Sequence, residues 1–373
     1  MKRRIAVLTG TRAEYGILRP VMKAISSDDR LQLQLLVTGM HLSEEFGSTV
    51  KEITADGFRI DASIDTLNSE DTGAGMARYI AETIKELSRE LEILKPHLLL
   101  LLGDRAEMLA AAVTATCMNI PIAHLHGGET SGSVDESFRH AITRMAHIHL
   151  AATDEARENL IKSGEDPQRI FVVGAPGLDE INDDTIPCPE IRGKYSLDPD
   201  EPFALMVQHP VVTEVDDAEE QIKITLDVLA ELEIETLIVY PNADAGGRRM
   251  IGVIDDYVKR YPFMKAYRSI PRHEYLSLMK CASFMIGNSS SGIIEAPSFN
   301  LPVINIGTRQ KGRLRAPNVM DVNHDRKEIK DAIKKALRSG RVEVTNPWGD
   351  GRASERIIEI LRSIRIDENL IQK

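Results

Sequence analysis

Cysteine is scarce in this chain. Cys117, Cys188 and Cys281 are the only three, far apart and odd in number. They form no CxxC metal pair and suggest no disulfide framework, which fits a reducing compartment. A long apolar run is also missing, since nothing approaches the ~20 residues of a membrane span. The start, Met1-Lys2-Arg3-Arg4-Ile5-Ala6-Val7-Leu8-Thr9, has the basic flank of a signal peptide. Its apolar part is too short for one and reads as a first buried strand. Basic residues are the minority, 46 against 57 acidic, for a formal net charge of −11. That argues against a nucleic-acid partner, although a few local arginines can still attract a small anion. A cytoplasmic protein with neither a membrane nor a nucleic-acid partner is expected. Low-complexity tracts and short tandem repeats are absent.

What is present is ordinary for a globular protein: 42% apolar and 28% charged residues in a chain of 373. That length suggests two domains, each able to bury a core. Apolar runs of strand length, Arg4–Thr9, Leu31–Val37, His97–Leu102 and Pro121–Leu125, alternate with helix-length segments Ile17–Ser26, Ser43–Ala55, Gly75–Leu94 and Ala106–Met118. A Pro- and Asp-rich stretch, 181–202, reads as a linker. The alternation then restarts, with strands at Phe203–Gln208, Thr236–Tyr240, Met264–Arg268, Ser283–Ile286 and Pro302–Ile306. Helices are expected at Asp217–Leu232, Gly247–Tyr261, Arg272–Cys281 and about Ala353–Ile364. The fold class is therefore α/β, with two Rossmann-like doubly wound domains facing a cleft. We assign 1–180 to the first domain, 181–345 to the second, and 346–373 to a C-terminal helix packing back on the first. A homodimer or homotetramer is expected.

Ligands of such sheets bind beyond the carboxyl ends of the strands, so the residues following each strand carry the functional reading. Gly10-Thr11-Arg12-Ala13-Glu14-Tyr15-Gly16 follows the first strand. It offers a tight turn, helix N–H groups for an anion and Arg12, or else is a turn with a surface arginine. It lacks the GxGxxG fingerprint, so no dinucleotide cofactor is expected. Asp104 and Arg105 follow five leucines, as a site pair, a helix cap or a solvated ion pair. His124-Leu125-His126-Gly127-Gly128-Glu129 places two histidines on one side of an extended segment. His126 and Glu129 suit acid–base chemistry, with hydrogen-bonded structural histidines or a His-x-His metal site as alternatives. Ser133-Val134-Asp135-Glu136 fits a helix capping box. Asp135 and Arg139, four apart, form either a cleft pair or an exposed helix pair.

In the second half, strands end in Gln208-His209-Pro210, Tyr240-Pro241-Asn242 and Gly287-Asn288-Ser289-Ser290-Ser291-Gly292. The serine-rich turn opening a helix is suited to a diphosphate, with an N-cap in a polar turn as the alternative. Glu295, about one turn further, can accept both hydroxyls of a ribose. Arg309 adds a cation to the same edge.

These motifs, with Gly307-Thr308-Arg309-Gln310, occur in an order that resembles the hydrolysing UDP-N-acetylglucosamine 2-epimerases of sialic acid synthesis, over roughly residues 3–365. The resemblance implies a glycosyltransferase-B architecture and conversion of UDP-N-acetylglucosamine and water to UDP and N-acetylmannosamine, through elimination of UDP and hydration of a glycal. It implies that Arg12, Arg105, His209, Asn242, Ser289, Ser290, Glu295 and Arg309 hold the UDP. Asp104, His126, Glu129, Asp135 and Arg139 surround the sugar, and His209 counts among the catalytic groups as well. No metal or cofactor is implied. Some members of the family carry Glu in the slot of His126. Thr38-Gly39-Met40-His41-Leu42 departs from the TGQH segment of the non-hydrolysing branch. The competing readings are a UDP-sugar transferase of the same architecture, a non-catalytic nucleotide-sugar sensor and a His-x-His metallohydrolase.

Overall fold

A computed structural model describes residues 2–70, 72–131, 134–181 and 185–372, apart from the side chains of Val134 and Asp135. The alternating pattern folds into two sheets. The first contains β1 (Arg3–Thr9), β2 (Leu31–Thr38), β3 (Ala62–Ile64), β4 (Leu98–Leu102), β5 (Ile122–Leu125), β6 (Ile148–Ala151) and β7 (Ile170–Val172), in the order β3-β2-β1-β4-β5-β6-β7. The second contains β8 (Phe203–Val207), β9 (Glu235–Val239), β10 (Met264–Tyr267), β11 (Phe284–Gly287), β12 (Val303–Ile306) and β13 (Val319–Val322), in the order β10-β9-β8-β11-β12-β13. The pairings are parallel throughout. Helices α1 (Arg12–Ser27), α2 (Val50–Ala55), α3 (Gly73–Leu94), α4 (Ala106–Cys117), α5 (Val134–Met145) and α6 (Asp154–Lys162) accompany the first sheet. Helices α7 (Cys188–Lys194), α8 (Ala218–Glu231), α9 (Gly247–Arg260), α10 (Arg272–Cys281), α11 (Ser291–Ile294) and α12 (Arg326–Ser339) accompany the second. Two apolar clusters flank each sheet. Burial on both faces explains why β4 is five leucines, all buried, rather than an alternating strand.

The chain ends in α13 (Ala353–Ser363) and α14 (Glu368–Ile371). Ala353, Ile357 and Leu361 join the apolar cluster of the first sheet. Asp179 caps α13, accepting from the Ala353 and Ser354 N–H groups at 2.8 and 2.6 Å. Both sheets have a switch point, between β1 and β4 and between β8 and β11, where loops run to opposite faces and open a crevice. No described helix is long and apolar enough to cross a membrane.

Several local expectations change. Helix α1 starts at Arg12 rather than Ile17, because Thr11 and Glu14 form a capping box. The helix expected over Ser43–Ala55 is confined to α2, since Gly47 and Ser48 take positive φ of 97° and 47°. Within the expected linker, α7 forms, and Ile191, Tyr195 and Leu197 are buried; residues 182–184 lie outside the described part. The cysteine reading is overturned: Cys188 at the start of α7 is disulfide-bonded to Cys281 at the end of α10, with Cα atoms 5.5 Å apart, and Cys117 is free. Segments β3, β6, β7 and β13 were not expected as strands. Each has only three or four residues, and β6 hides its signal in His149, which is fully buried on Glu165 at 3.0 Å.

Candidate functional site

The two switch points face one another across a cleft of about 240 Å³. Its first-domain wall carries Arg12, Asp104, Arg105, His126 and Arg139, and its second-domain wall His209, Asn242, Ser289, Ser290, Glu295 and Arg309. Of the residues expected at the site, Glu129 lies one layer behind His126, and the Asp135 side chain is outside the described residues.

On the first wall, the capping box uses the N–H groups of Gly10 and Thr11, which Glu14 Oε2 accepts at 2.9 and 3.0 Å. Those two N–H groups, which precede the helix, are therefore engaged within the turn. The Arg12 side chain faces the cleft. Its Nε and Nη2 have no hydrogen-bond partner among the described residues, and Glu52 stands 3.5 Å from Nε. Asp104 does not cap α4, whose cap position is Arg105. It receives the guanidinium of Arg139, which also donates to the Glu129 carbonyl at 2.8 Å and the Ser131 hydroxyl at 3.1 Å. Arg105 crosses the cleft to Asp244 at 3.2 Å, and Asp244 accepts from Asn242 Nδ2 at 2.5 Å.

The two histidines at the end of β5, His124 within it and His126 just after it, part company. His124 is a structural residue: its Nε2 lies 2.7 Å from the Gly103 carbonyl and its Nδ1 3.3 Å from the Thr143 hydroxyl. Burial pushes its pKa down to about 3. His126 leaves the strand at φ 61° and lines the cleft, which His124 does not, and among the described residues the two join no cluster able to hold a metal ion. Its Nδ1 meets Glu129 Oε1 at 2.5 Å, and its Nε2 has no hydrogen-bond partner among the described residues.

On the second wall, Asn288 clamps the backbone of His209, accepting from its N–H at 2.7 Å and donating to its carbonyl at 2.9 Å. His209 Nδ1 accepts from the Asn242 N–H at 3.1 Å. Burial, with Arg309 and Arg105 nearby, holds the ring pKa well below its usual value. The ring is therefore neutral with its proton on Nε2, an uncharged donor in the cleft. The serine turn is forced tight at Gly287, where φ is 128° and a Cβ would stand 2.1 Å from the Val207 carbonyl oxygen. Helix α11 has four residues, so Glu295 sits at its end rather than inside it. Its Oε1 accepts from Arg272 Nη1 at 3.3 Å. Arg309 reaches the Asn288 carbonyl at 3.2 Å.

The lining is strongly cationic despite the acidic whole: Arg12, Arg105, Arg139, Arg272, Arg309 and Arg313 all contribute. Burial would raise the pKa of Asp104, but Arg139, Arg313 and Arg309 outweigh it and hold the carboxyl below its ordinary value. Glu129 behaves likewise, with Arg313 the largest opposing influence, followed by His126. Sequence reasoning missed Arg272 and Arg313. Arg272 opens α10 and packs so close to α1 that a Cβ on Gly16 would stand 2.5 Å from its Cδ. Arg313 comes four residues after Arg309, beyond the strand-end window. The signal that could have found it is the basic run Arg309-Gln310-Lys311-Gly312-Arg313.

Comparison with known proteins fits this geometry. The family described as UDP-N-acetylglucosamine 2-epimerase matches residues 23–362. The chain is 40% identical to a UDP-N,N'-diacetylbacillosamine 2-epimerase (hydrolyzing) of Legionella pneumophila, covering 100% of this chain and 99% of that one. It is 35% identical to a UDP-N-acetylglucosamine 2-epimerase of Neisseria meningitidis, over 97% of this chain and 95% of the other. The Methanocaldococcus jannaschii UDP-GlcNAc 2-epimerase, solved with UDP-GlcNAc and UDP, shares the fold with a TM-score of 0.81 at 20% identity, covering 96% of this chain and 99% of that one. Two facing parallel sheets of glycosyltransferase-B type, matched along almost the whole chain, place this protein in the UDP-N-acetylglucosamine 2-epimerase family of enzymes.

Proposed function

We propose that the protein is a hydrolysing 2-epimerase of a UDP-linked 2-acetamido sugar. The observation that carries this reading is the division of labour across the cleft. Arg309 and the Ser289–Ser290 turn line the second wall, while Asp104 and the His126–Glu129 pair occupy the first. Arg12, two of whose nitrogens make no hydrogen bond among the described residues, faces the same space. The second wall suits a diphosphate, and the carboxylate of Glu295 suits a ribose. The first wall supplies proton acceptors for the sugar in Asp104 and His126, with Arg139 on Asp104 and Glu129 behind His126; the Asp135 side chain, expected beside them, lies outside the described residues.

Chemically, a base removes the hydrogen on C2, the C2–H electron pair forms the C1–C2 double bond, and the C1–O bond breaks with its electrons leaving on UDP. Arginines and hydroxyl donors stabilise the growing charge on the leaving phosphate. Water then adds to the glycal, hydroxyl at C1 and a proton on the opposite face of C2, giving the free manno sugar. The net change is addition of water, so the sequence of steps needs neither a redox cofactor nor a metal. In this reading His209, a neutral donor lining the cleft, hydrogen-bonds the nucleotide or the departing oxygen.

Two substrates are favoured by different relatives. The 40% identity to the diacetylbacillosamine enzyme makes UDP-N,N'-diacetylbacillosamine the first candidate. The 35% relative and the resemblance of the motifs make UDP-N-acetylglucosamine the second, with N-acetylmannosamine as product. Either product suits the synthesis of sialic acid-type sugars. Incubation with each nucleotide sugar, followed by chromatography for UDP and the free sugar, tests the reading. Release of UDP with a manno-configured 2-acetamido sugar supports it, and no release from either substrate contradicts it.

A further inference from the structure

Along the cleft wall runs a largely buried chain of polar contacts that starts at the serine turn of one domain and ends at a histidine of the other. The Asn288 carbonyl accepts from Gln310 Nε2 at 2.9 Å. Gln310 Oε1 accepts from Arg313 Nη1 at 2.9 Å. Arg313 Nε donates to Glu129 Oε2 at 2.9 Å, and its Nη2 reaches the same oxygen. The other oxygen of Glu129 meets His126 Nδ1. Gln310, Glu129 and His126 are all at least nine-tenths buried, at 1%, 4% and 5% exposure.

We propose that Arg313 is a positioning residue that ties the serine turn to the His126–Glu129 pair, so that His126 is held ready for proton transfer by the domain that holds the nucleotide. This rests on the 2-epimerase reading above. The turn that carries Arg313 is itself docked on the first domain: Gly312 has φ 82°, and its carbonyl accepts from the Thr130 hydroxyl at 2.6 Å. Trp348 backs the assembly. The Arg313 guanidinium lies 5.7 Å from its ring centre, and the His126 ring lies 6.3 Å away at an interplanar angle of 25°. Arg313 spends Nε, Nη1 and Nη2 on protein hydrogen-bond acceptors, whereas Arg12 on the same cleft has Nη2 without a hydrogen-bond partner among the described residues and Nε in an ion pair with Glu52 at 3.5 Å. That contrast separates a structural tie from a ligand-binding cation.

The chemical consequence concerns which nitrogen of His126 carries the proton. With Arg313 on one oxygen, Glu129 is an acceptor and the hydrogen of neutral His126 sits on Nδ1. Nε2 then presents a lone pair, the form required to take the C2 proton. Without Arg313, a carboxyl this buried takes up a proton more readily. Its O–H donates to Nδ1, the ring hydrogen moves to Nε2, and the base is lost. Among the described residues, the other charged groups facing Glu129 are Arg139, which is engaged by its backbone carbonyl and by Asp104, and Glu155 of α6, which lines the small cavity behind the pair.

The test compares wild type with Arg313→Met and Arg313→Lys, measuring kcat, KM and their pH profiles, with UDP affinity by calorimetry. For Arg313→Met the expected result is a fall in kcat of about 100-fold at neutral pH, the low end of a lost acid–base contribution. UDP affinity should change by less than about threefold. The acid limb of kcat should move up by about one pH unit, with partial recovery at higher pH. Arg313→Lys, which keeps the charge, should give intermediate turnover and a smaller displacement of the limb. If turnover and UDP affinity fall together in either variant, Arg313 is a nucleotide ligand and the proposal is overturned. A kcat that drops equally at every pH, with the limb unmoved, overturns it as well. A wild-type enzyme that releases no UDP from any nucleotide sugar instead overturns the function reading, and this proposal with it.

Discussion

Arg139 of α5, itself 1% exposed, binds the carboxylate of Asp104 at the end of β4. A buried arginine in contact with a cleft carboxylate keeps that carboxylate ionised and fixed in direction, where burial alone would favour its neutral form. In the function proposed above, the pair belongs to the sugar side of the cleft, and the serine turn and Arg309 form a separate nucleotide side on the facing wall.

That separation predicts two different defects. Asp104→Asn should leave UDP affinity nearly intact while lowering turnover by roughly 10²–10⁴-fold. Arg309→Ala should mainly weaken UDP binding, by about 1.5–3 kcal/mol for a lost charge-assisted bond. Calorimetry with UDP on both variants decides. Equal loss of UDP affinity in the two would show that the phosphate and sugar regions are misassigned.

The disulfide is open to direct chemistry. Cys188 and Cys281 are 93 residues apart, and closing a loop of that length is worth on the order of 4–5 kcal/mol by the chain-entropy argument. Alkylation of the denatured, unreduced protein should therefore modify Cys117 alone, and prior reduction should expose all three thiols and lower Tm. Three modified cysteines without a reductant would refute the bond.

Glu14 gives a pH dependence of stability. Burial, and Glu107 next to it, push its pKa from about 4.5 up to about 8. The folded state therefore binds a proton that the unfolded state has released. The associated stability is complete below pH 4.5, declines above it and is gone once the pH has risen through 8. Glu14→Gln, which stays neutral, should lack this loss. Denaturant titrations of both proteins from about pH 5 to 9 should show the wild type falling behind as pH rises. A difference that is flat across that range would contradict the assignment.

Much of the fold was legible because burial on both sheet faces writes itself into the chain as runs such as Leu98–Leu102, and α10 fell on its expected residues. The site was legible as far as strand ends predict it, which is why Arg12, Asp104, His209, Ser289 and Arg309 line one cleft. What sequence could not supply is pairing between distant segments. Arg313 meets Glu129, and Arg272 meets the Gly177 carbonyl at 2.5 Å, only because the two domains face each other. The Cys188–Cys281 bond likewise follows from α7 lying against α10, inside a stretch that composition marks as linker. His124 and His126 looked equivalent until a positive φ at His126 turned one ring into the core and the other to the cleft.

The central claim is that the C2–H bond breaks as UDP departs. The most direct measurement runs the reaction in heavy water and examines the released sugar by NMR and mass spectrometry. The account predicts UDP and a manno-configured 2-acetamido sugar carrying one deuterium at C2, with oxygen from labelled water at C1. A gluco-configured product with no deuterium at C2 would contradict it, since water would then have attacked C1 directly and no base near C2 would have acted.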